Sequence, residues 1–197
     1  LATLQLFQGG LDEQWFYLVA VVIEATGAPS LLALVAAQQA VVAGQVDHLA
    51  SNLKRVALAL ANMIATLMRM TQHCDPHIFY SRIRPFLAGW DAPGIVYEGV
   101  GDVPQMFTGA SAAQSSLLQS LDAALGVKHR NQEARLFLLE MRRYMPPAHS
   151  RFIEILENGP SIRQFVLDHK QSHPALCDIY NQLVERWATR RSPGVGV

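Results

Sequence analysis

Three side chains in this sequence are of types and spacing that could grip a small aromatic acid. Phe79, Tyr80 and Arg84 fall within six residues, and a helix through them puts Tyr80 and Arg84, at i and i+4, on one face. A guanidinium beside aromatic rings can clamp a carboxylate with two parallel hydrogen bonds while the rings sandwich a flat substrate. The same pattern also describes a surface arginine whose aliphatic stem covers aromatic core, which is the commoner use of such a pair.

Other chemistry-bearing residues give fewer patterns. The seven histidines make no HxxE, HExxH or triad spacing, and His48, His73, His77, His129, His169 and His173 sit in polar or helix-end contexts expected at the surface. His149 follows Pro146-Pro147-Ala148 and reads as a histidine making a structural hydrogen bond at a helix start. Cys74 and Cys177 have no CxxC or finger spacing, so buried free thiols in a reducing cytoplasm are expected, with a lone disulfide the alternative. From Gly109 to Ser116 the residues are nearly all small, which lets the backbone approach something flat or large: a packed helix, or a planar cofactor.

The elements that must position these residues read as helices. Asp12 can cap a helix through Trp15–Ala25 that ends at Gly27, apolar nearly all round and therefore expected to be buried. Pro29 and Ser30 open a second helix over Leu31–Val42. Leu49, Leu53, Val56, Leu60, Met63, Ile64, Leu67 and Met70 recur at spacings of three and four, predicting a third helix over about Val46–Gln72, about 40 Å long. Asp75-Pro76 starts the helix carrying Phe79, Tyr80 and Arg84, and a turn-rich loop with Asp91, Pro93, Gly94, Gly99 and Gly101 follows. Helices then cover Ala112–Leu125, Gln132–Tyr144, His149–Leu156, Ile162–Lys170 and Pro174 to about Arg191. The only strand-like stretch is Thr3–Phe7, so the fold expected is an all-α helical bundle, one domain over 1–197.

Composition narrows the classes. The 197 residues carry sixteen Lys plus Arg against sixteen Asp plus Glu, so no global field draws in nucleic acid or an anionic membrane. The run Trp15–Ile23 is too short to span a bilayer and the N-terminus has no signal-peptide pattern, which points to a cytoplasmic protein without a membrane partner. The chain begins without Met and stops at RRSPGVGV, as a fragment, a processed product or a truncated frame would.

In order and spacing, FLAGW, GIVYEGV, F-x-GASAAQSS, MRRYMPPAHSRF and IRQFV resemble the indoleamine 2,3-dioxygenase family, over about Phe16–Arg191. The resemblance is to the large helical domain, in a bacterial-type form, without the family's small N-terminal domain or its C-terminal covering segments. It implies a haem enzyme that adds O2 across the C2–C3 bond of a tryptophan-like indole, giving an N-formylkynurenine-type product. By resemblance, Phe79, Tyr80 and Arg84 hold the indole and its carboxylate, with Tyr80 where a Phe is usual. Phe16, Tyr17 and Ala20 match the segment lining the distal pocket, with Ala20 in place of a frequent Ser. The alternative for that segment is plain core packing. Ser111 and Ala112 match the loop over the distal haem face, and Ser111 alternatively suits a helix N-cap. Asp122 and Arg191 match a pair on the haem-propionate side, and His149 is the one histidine inside a family motif. The proximal histidine of the family falls at Gly194, so the axial ligand to haem is not found and the metal ligand is unknown. Two further expectations stand beside ring cleavage: a haem-free protein that binds an indole, and a related haem protein acting on substituted indoles in secondary metabolism. A haem pocket without its covering segments would expose apolar surface, which predicts a homodimer or poor solubility.

Overall fold

A computed structural model describes residues 1–129 and 131–189, and they are predominantly helical. In order they form α1 (Leu11–Gly27), α2 (Pro29–Val42), α3 (Val46–Leu67), α4 (Pro76–Ile78), a π-helical turn (Phe79–Ile83), α5 (Arg84–Leu87), β1 (Trp90–Ile95), β2 (Gln105–Phe107), α6 (Ser116–Leu125), α7 (Gln132–Met141), α8 (Pro147–Asn158), α9 (Ile162–Asp168) and α10 (Pro174–Thr189). The all-α expectation holds, with one small addition. The turn-rich loop contains an antiparallel pair, β1 with β2, in which Trp90 faces Phe107 and Ile95 faces Gln105. Thr3–Phe7, the stretch expected to be strand-like, is not a strand.

Contacts divide the chain into two compact units: Leu1–Val22 with Thr66–Ala112, and Ile23–Ala65 with Ala113–Val197. The larger unit has the main core. In it Leu49, Leu53, Val56, Leu60 and Met63 of α3 are buried at alternating steps of four and three, the stripe the sequence shows. Leu34 of α2, Leu121 and Leu125 of α6, Leu156 of α8, Ile162 and Val166 of α9, and Leu183 of α10 pack into the same cluster. The stripe ends there, because Leu67 is exposed and α3 stops at that residue. Gly27 packs against side chains: a Cβ would sit 2.7 Å from the Met63 sulfur and closer still to Leu117, so those buried side chains would have to shift.

Proline and polar caps set several starts. Pro29, Pro76, Pro147 and Pro174 each open a helix, where the missing N–H costs nothing. Ser115 caps α6 by accepting from the Leu118 N–H. Asp12 does not cap α1 either. It lies in the first turn, and its Oδ1 accepts the Asp75 N–H at 2.7 Å, tying α1 to the start of α4.

Helix α1 is not buried all round: Leu11, Ala20 and Val21 are exposed, and among its residues only Glu13, Val19 and Gly27 are buried. Together α1 and α2 make an apolar run, Leu11–Val42, that by length and composition alone could cross a membrane, unlike Trp15–Ile23 taken alone. Its buried polar side chains behave as in a packed interior. Gln38 donates to the Leu156 carbonyl at 2.8 Å and Ser30 to the Gly27 carbonyl at 2.6 Å.

Candidate functional site

In the smaller unit, the helical stretch after Asp75 places the aromatic and guanidinium groups. Asp75 caps it by accepting the N–H groups of His77 (2.8 Å) and Ile78 (3.1 Å). The helix then widens into a π turn, in which the Arg84 N–H bonds to the Phe79 carbonyl five residues back. Pro85 supplies a reason. It has no N–H for the carbonyl four residues earlier and its ring crowds that turn, so the backbone opens by one residue. Such turns are frequent where side chains must be re-aimed. Here the Arg84 Cζ lies 5.4 Å from the Tyr80 ring centroid, within cation–π range, and both side chains are exposed, Tyr80 by 66 %. Ile83 faces inward and is buried.

Phe16 comes to this group from α1. Its ring centroid is 4.8 Å from that of Phe79, tilted by 40°, and 5.5 Å from that of Tyr17, edge-on. Burial, together with the Glu13 carboxylate, pushes the Tyr17 hydroxyl above its ordinary value. Ala20 is exposed on the same helix. Ahead of it, Glu13 is 2 % exposed and accepts the backbone N–H groups of Phe7 (2.7 Å), Gln8 (3.0 Å) and Gly9 (2.9 Å). Burial pushes its carboxyl up, but the three N–H donors outweigh that and hold it below its ordinary value.

Ser111 is half-buried and Ala112 exposed, at the end of the small-residue loop. What that loop approaches closely is the chain itself. Gly109 lies against the backbone of Leu87–Gly89, where a Cβ would overlap the Leu87 carbonyl oxygen and stand 2.6 Å from the Gly89 nitrogen. Gly89 is tight for the reciprocal reason, and the Ala110 N–H bonds to the Leu87 carbonyl at 2.9 Å. Neither a helix nor a planar group is needed to account for Gly109.

The larger unit holds Asp122 and His149. Asp122 is 7 % exposed. Its Oδ1 accepts the Trp187 indole N–H at 2.8 Å, and its Oδ2 lies 3.1 Å from His129 Nε2. Arg191, the partner expected for it, lies outside the described residues. His149 is exposed in the first turn of α8, with Nδ1 3.0 Å from the Ser116 hydroxyl. His129 and His169 are half-buried, contrary to the surface positions expected of them. Each is held by an acceptor, the Asp122 carboxylate or the Phe165 carbonyl, and such partners suit a partly covered imidazole.

One polar cluster has no counterpart in the sequence reading. Gln119 is buried, donates from Nε2 to the carbonyls of Ala113 (2.8 Å) and Leu138 (3.0 Å), and accepts from Arg142 Nε (2.7 Å). Arg142 in turn meets the Glu157 carboxylate with both terminal nitrogens. The signal available was the position of Arg142 inside MRRYMPPAH, but a glutamine in a helix gives no sign of burial.

Haem iron needs an axial donor such as His, Cys, Tyr or Met. Cys74 is buried, and burial, with Asp12 and Asp75, pushes its thiol up and disfavours the thiolate. Gly194 stands where the resemblance puts the proximal histidine and offers no donor, so the residues present do not fit a haem held by histidine at that position.

Known proteins nonetheless share this sequence along nearly its whole length. A family model described as "Indoleamine 2,3-dioxygenase" matches residues 1–194. The human protein named Indoleamine 2,3-dioxygenase 2 is 40 % identical over 98 % of this chain and 48 % of its own. The Saccharomyces cerevisiae protein named Indoleamine 2,3-dioxygenase is 35 % identical over 93 % of this chain and 44 % of its own. A protein named Myoglobin from Haliotis madaka is 36 % identical over 93 % of this chain and 50 % of its own. The chain thus spans about half the length of the curated relatives it matches. With a match of that extent, the chain belongs to the indoleamine 2,3-dioxygenase family.

Proposed function

We propose that this chain is the indole-recognising part of a dioxygenase that acts on tryptophan or a related indole. The observation that carries the reading is the Arg84 guanidinium held 5.4 Å from the exposed Tyr80 ring, on a π turn that also carries Phe79. Arg84 takes the carboxylate of the amino acid in a two-point grip, and the rings of Phe79, Tyr80 and Phe16 offer faces for the indole. Binding of the carboxylate fixes the indole's orientation, which is the protein's share of such a reaction. In the ring opening, both atoms of O2 enter the product as the C2–C3 bond breaks, so the balance calls for no further reductant. In this family that chemistry depends on haem, and in this chain His149 is the candidate to supply the axial donor that is missing at Gly194.

A second reading is a haem-free protein that holds an indole through the same residues. It is favoured by Gly194 at the position of the family's proximal histidine. Titration of haem into the purified chain, followed by absorption in the reduced state and with carbon monoxide, separates the two. A sharp, stoichiometric Soret band that shifts on reduction supports the dioxygenase reading. A broad band like that of free haem, with tryptophan still bound, supports the haem-free one. Loss of both haem and tryptophan binding overturns both.

A further inference from the structure

A part of the larger unit that the indole reading does not use carries two oriented imidazoles. An open hollow of about 490 Å³ lies between the start of α3 and the turn joining α9 to α10, bounded by Asp47 and His48 on one side and by His169 and His173 on the other. His169 Nδ1 is 2.8 Å from the Phe165 carbonyl oxygen. A carbonyl can only accept, so Nδ1 carries the hydrogen, and in the neutral ring the lone pair lies on Nε2. Stacking on Phe165, with centroids 4.0 Å apart and planes within 24°, fixes the plane of that ring.

His173 reaches the same state by a different route. Its Nδ1 is 2.9 Å from the Ser172 hydroxyl oxygen, and that hydroxyl donates its own hydrogen to the His169 carbonyl at 3.2 Å. Toward His173 the hydroxyl oxygen therefore accepts, so His173 Nδ1 is the donor and Nε2 again holds the lone pair. An imidazole whose Nδ1–H is pinned by an acceptor is what metal-binding histidines use to orient the other nitrogen. The ring centroids are 5.8 Å apart. Two imidazoles sharing one ion at metal–nitrogen distances of about 2.0–2.1 Å have centroids about 5–6 Å apart.

From this geometry we propose that His169 and His173 chelate one divalent transition-metal ion of the class that prefers imidazole (Zn2+, Cu2+ or Ni2+) through their Nε2 atoms. No third His, Cys, Asp or Glu side chain among the described residues is already in place beside them, so water completes the coordination. The Asp47 carboxylate lining the hollow lowers the cost of bringing in a cation. This site is independent of the proposed indole grip and lies wholly in the larger unit.

The test uses the untagged full chain with Cu2+, the strongest binder of the series. Calorimetry is expected to give one equivalent bound, and electron paramagnetic resonance of the bound ion to show coordination by imidazole nitrogen. His169→Ala and His173→Ala should each weaken Cu2+ at least tenfold, His77→Ala, at an exposed histidine that does not line the hollow, should leave it unchanged, and excess Zn2+ should compete with Cu2+. Far-ultraviolet circular dichroism confirms that each variant keeps its helices. A double variant, His169→Ala with His173→Ala, that binds Cu2+ within threefold of the parent chain overturns the proposal. So does a Cu2+ spectrum without imidazole nitrogen.

Discussion

Gln119 Oε1 accepts from Arg142 Nε at 2.7 Å, and through that bond a buried amide on α6 orients the guanidinium that pairs with Glu157 on α8. Four protein groups depend on this one side chain: the carbonyls of Ala113 and Leu138, Arg142 Nε, and the ion pair it aligns. Gln119→Leu keeps about the same volume but removes the amide's bonds to the two carbonyls and to Arg142 Nε. Urea denaturation should show a loss of about 2 kcal/mol. An unchanged midpoint would mean that water serves these groups as well as the amide does.

Gly109 and Gly89 press backbone against backbone, and backbone cannot swing aside as a side chain can. Gly109→Ala should cost about 1–3 kcal/mol. Gly101→Ala, in the same loop but with nothing within 4 Å of its Cβ and no positive φ, should be neutral within about 0.5 kcal/mol. Thermal melting of the two variants side by side makes the comparison, and equal losses would contradict the close-approach account.

The Ser120 hydroxyl is buried on α6 without a hydrogen-bond partner. Removing an unsatisfied buried hydroxyl relieves its desolvation cost and leaves a very small void. Ser120→Ala is therefore expected to stabilise the chain by about 1 kcal/mol, measured as a shift in urea midpoint. A clear loss of stability would show that the hydroxyl has a partner in solution.

Glu13 gives a pH signature with a definite sign. Its carboxyl is held below the ordinary value of 4.5 by the N–H groups of Phe7, Gln8 and Gly9, against the opposing effect of burial. A depressed carboxylate contributes stability above the unfolded value, and loses that contribution as pH falls through the folded one. Glu13→Gln should thus be less stable than the parent chain at pH 7, and the gap should close progressively below about pH 4.5. A gap that is constant from pH 7 to pH 3 would contradict this.

Much of the helical frame is legible in the sequence because it depends on local chemistry. The α3 stripe from Leu49 to Met63 follows from a period alone, and Pro29, Pro76 and Pro174 mark helix starts by geometry intrinsic to proline. What escapes is set by partners distant in sequence. Asp12 looks like a cap until the Asp75 N–H, 63 residues away, is seen to claim it. Exposure of α1 is a property of what covers it, which no period reports. Among the candidate site residues, Tyr80 and Arg84 are neighbours by spacing. The π turn between them, and Phe16 beside Phe79, appear only in three dimensions. The pairing of Asp122 with Trp187 across 65 residues was hidden for the same reason.

The grip proposed for Arg84 on the carboxylate of an indole amino acid can be read by calorimetric titration without haem. Tryptophan, and tryptamine as the same indole without the carboxylate, are each titrated into the parent chain and into Arg84→Ala. The account predicts that the parent chain binds tryptophan at least tenfold more tightly than tryptamine, and that Arg84→Ala binds the two alike. Tryptophan bound equally well by Arg84→Ala and the parent chain would contradict it.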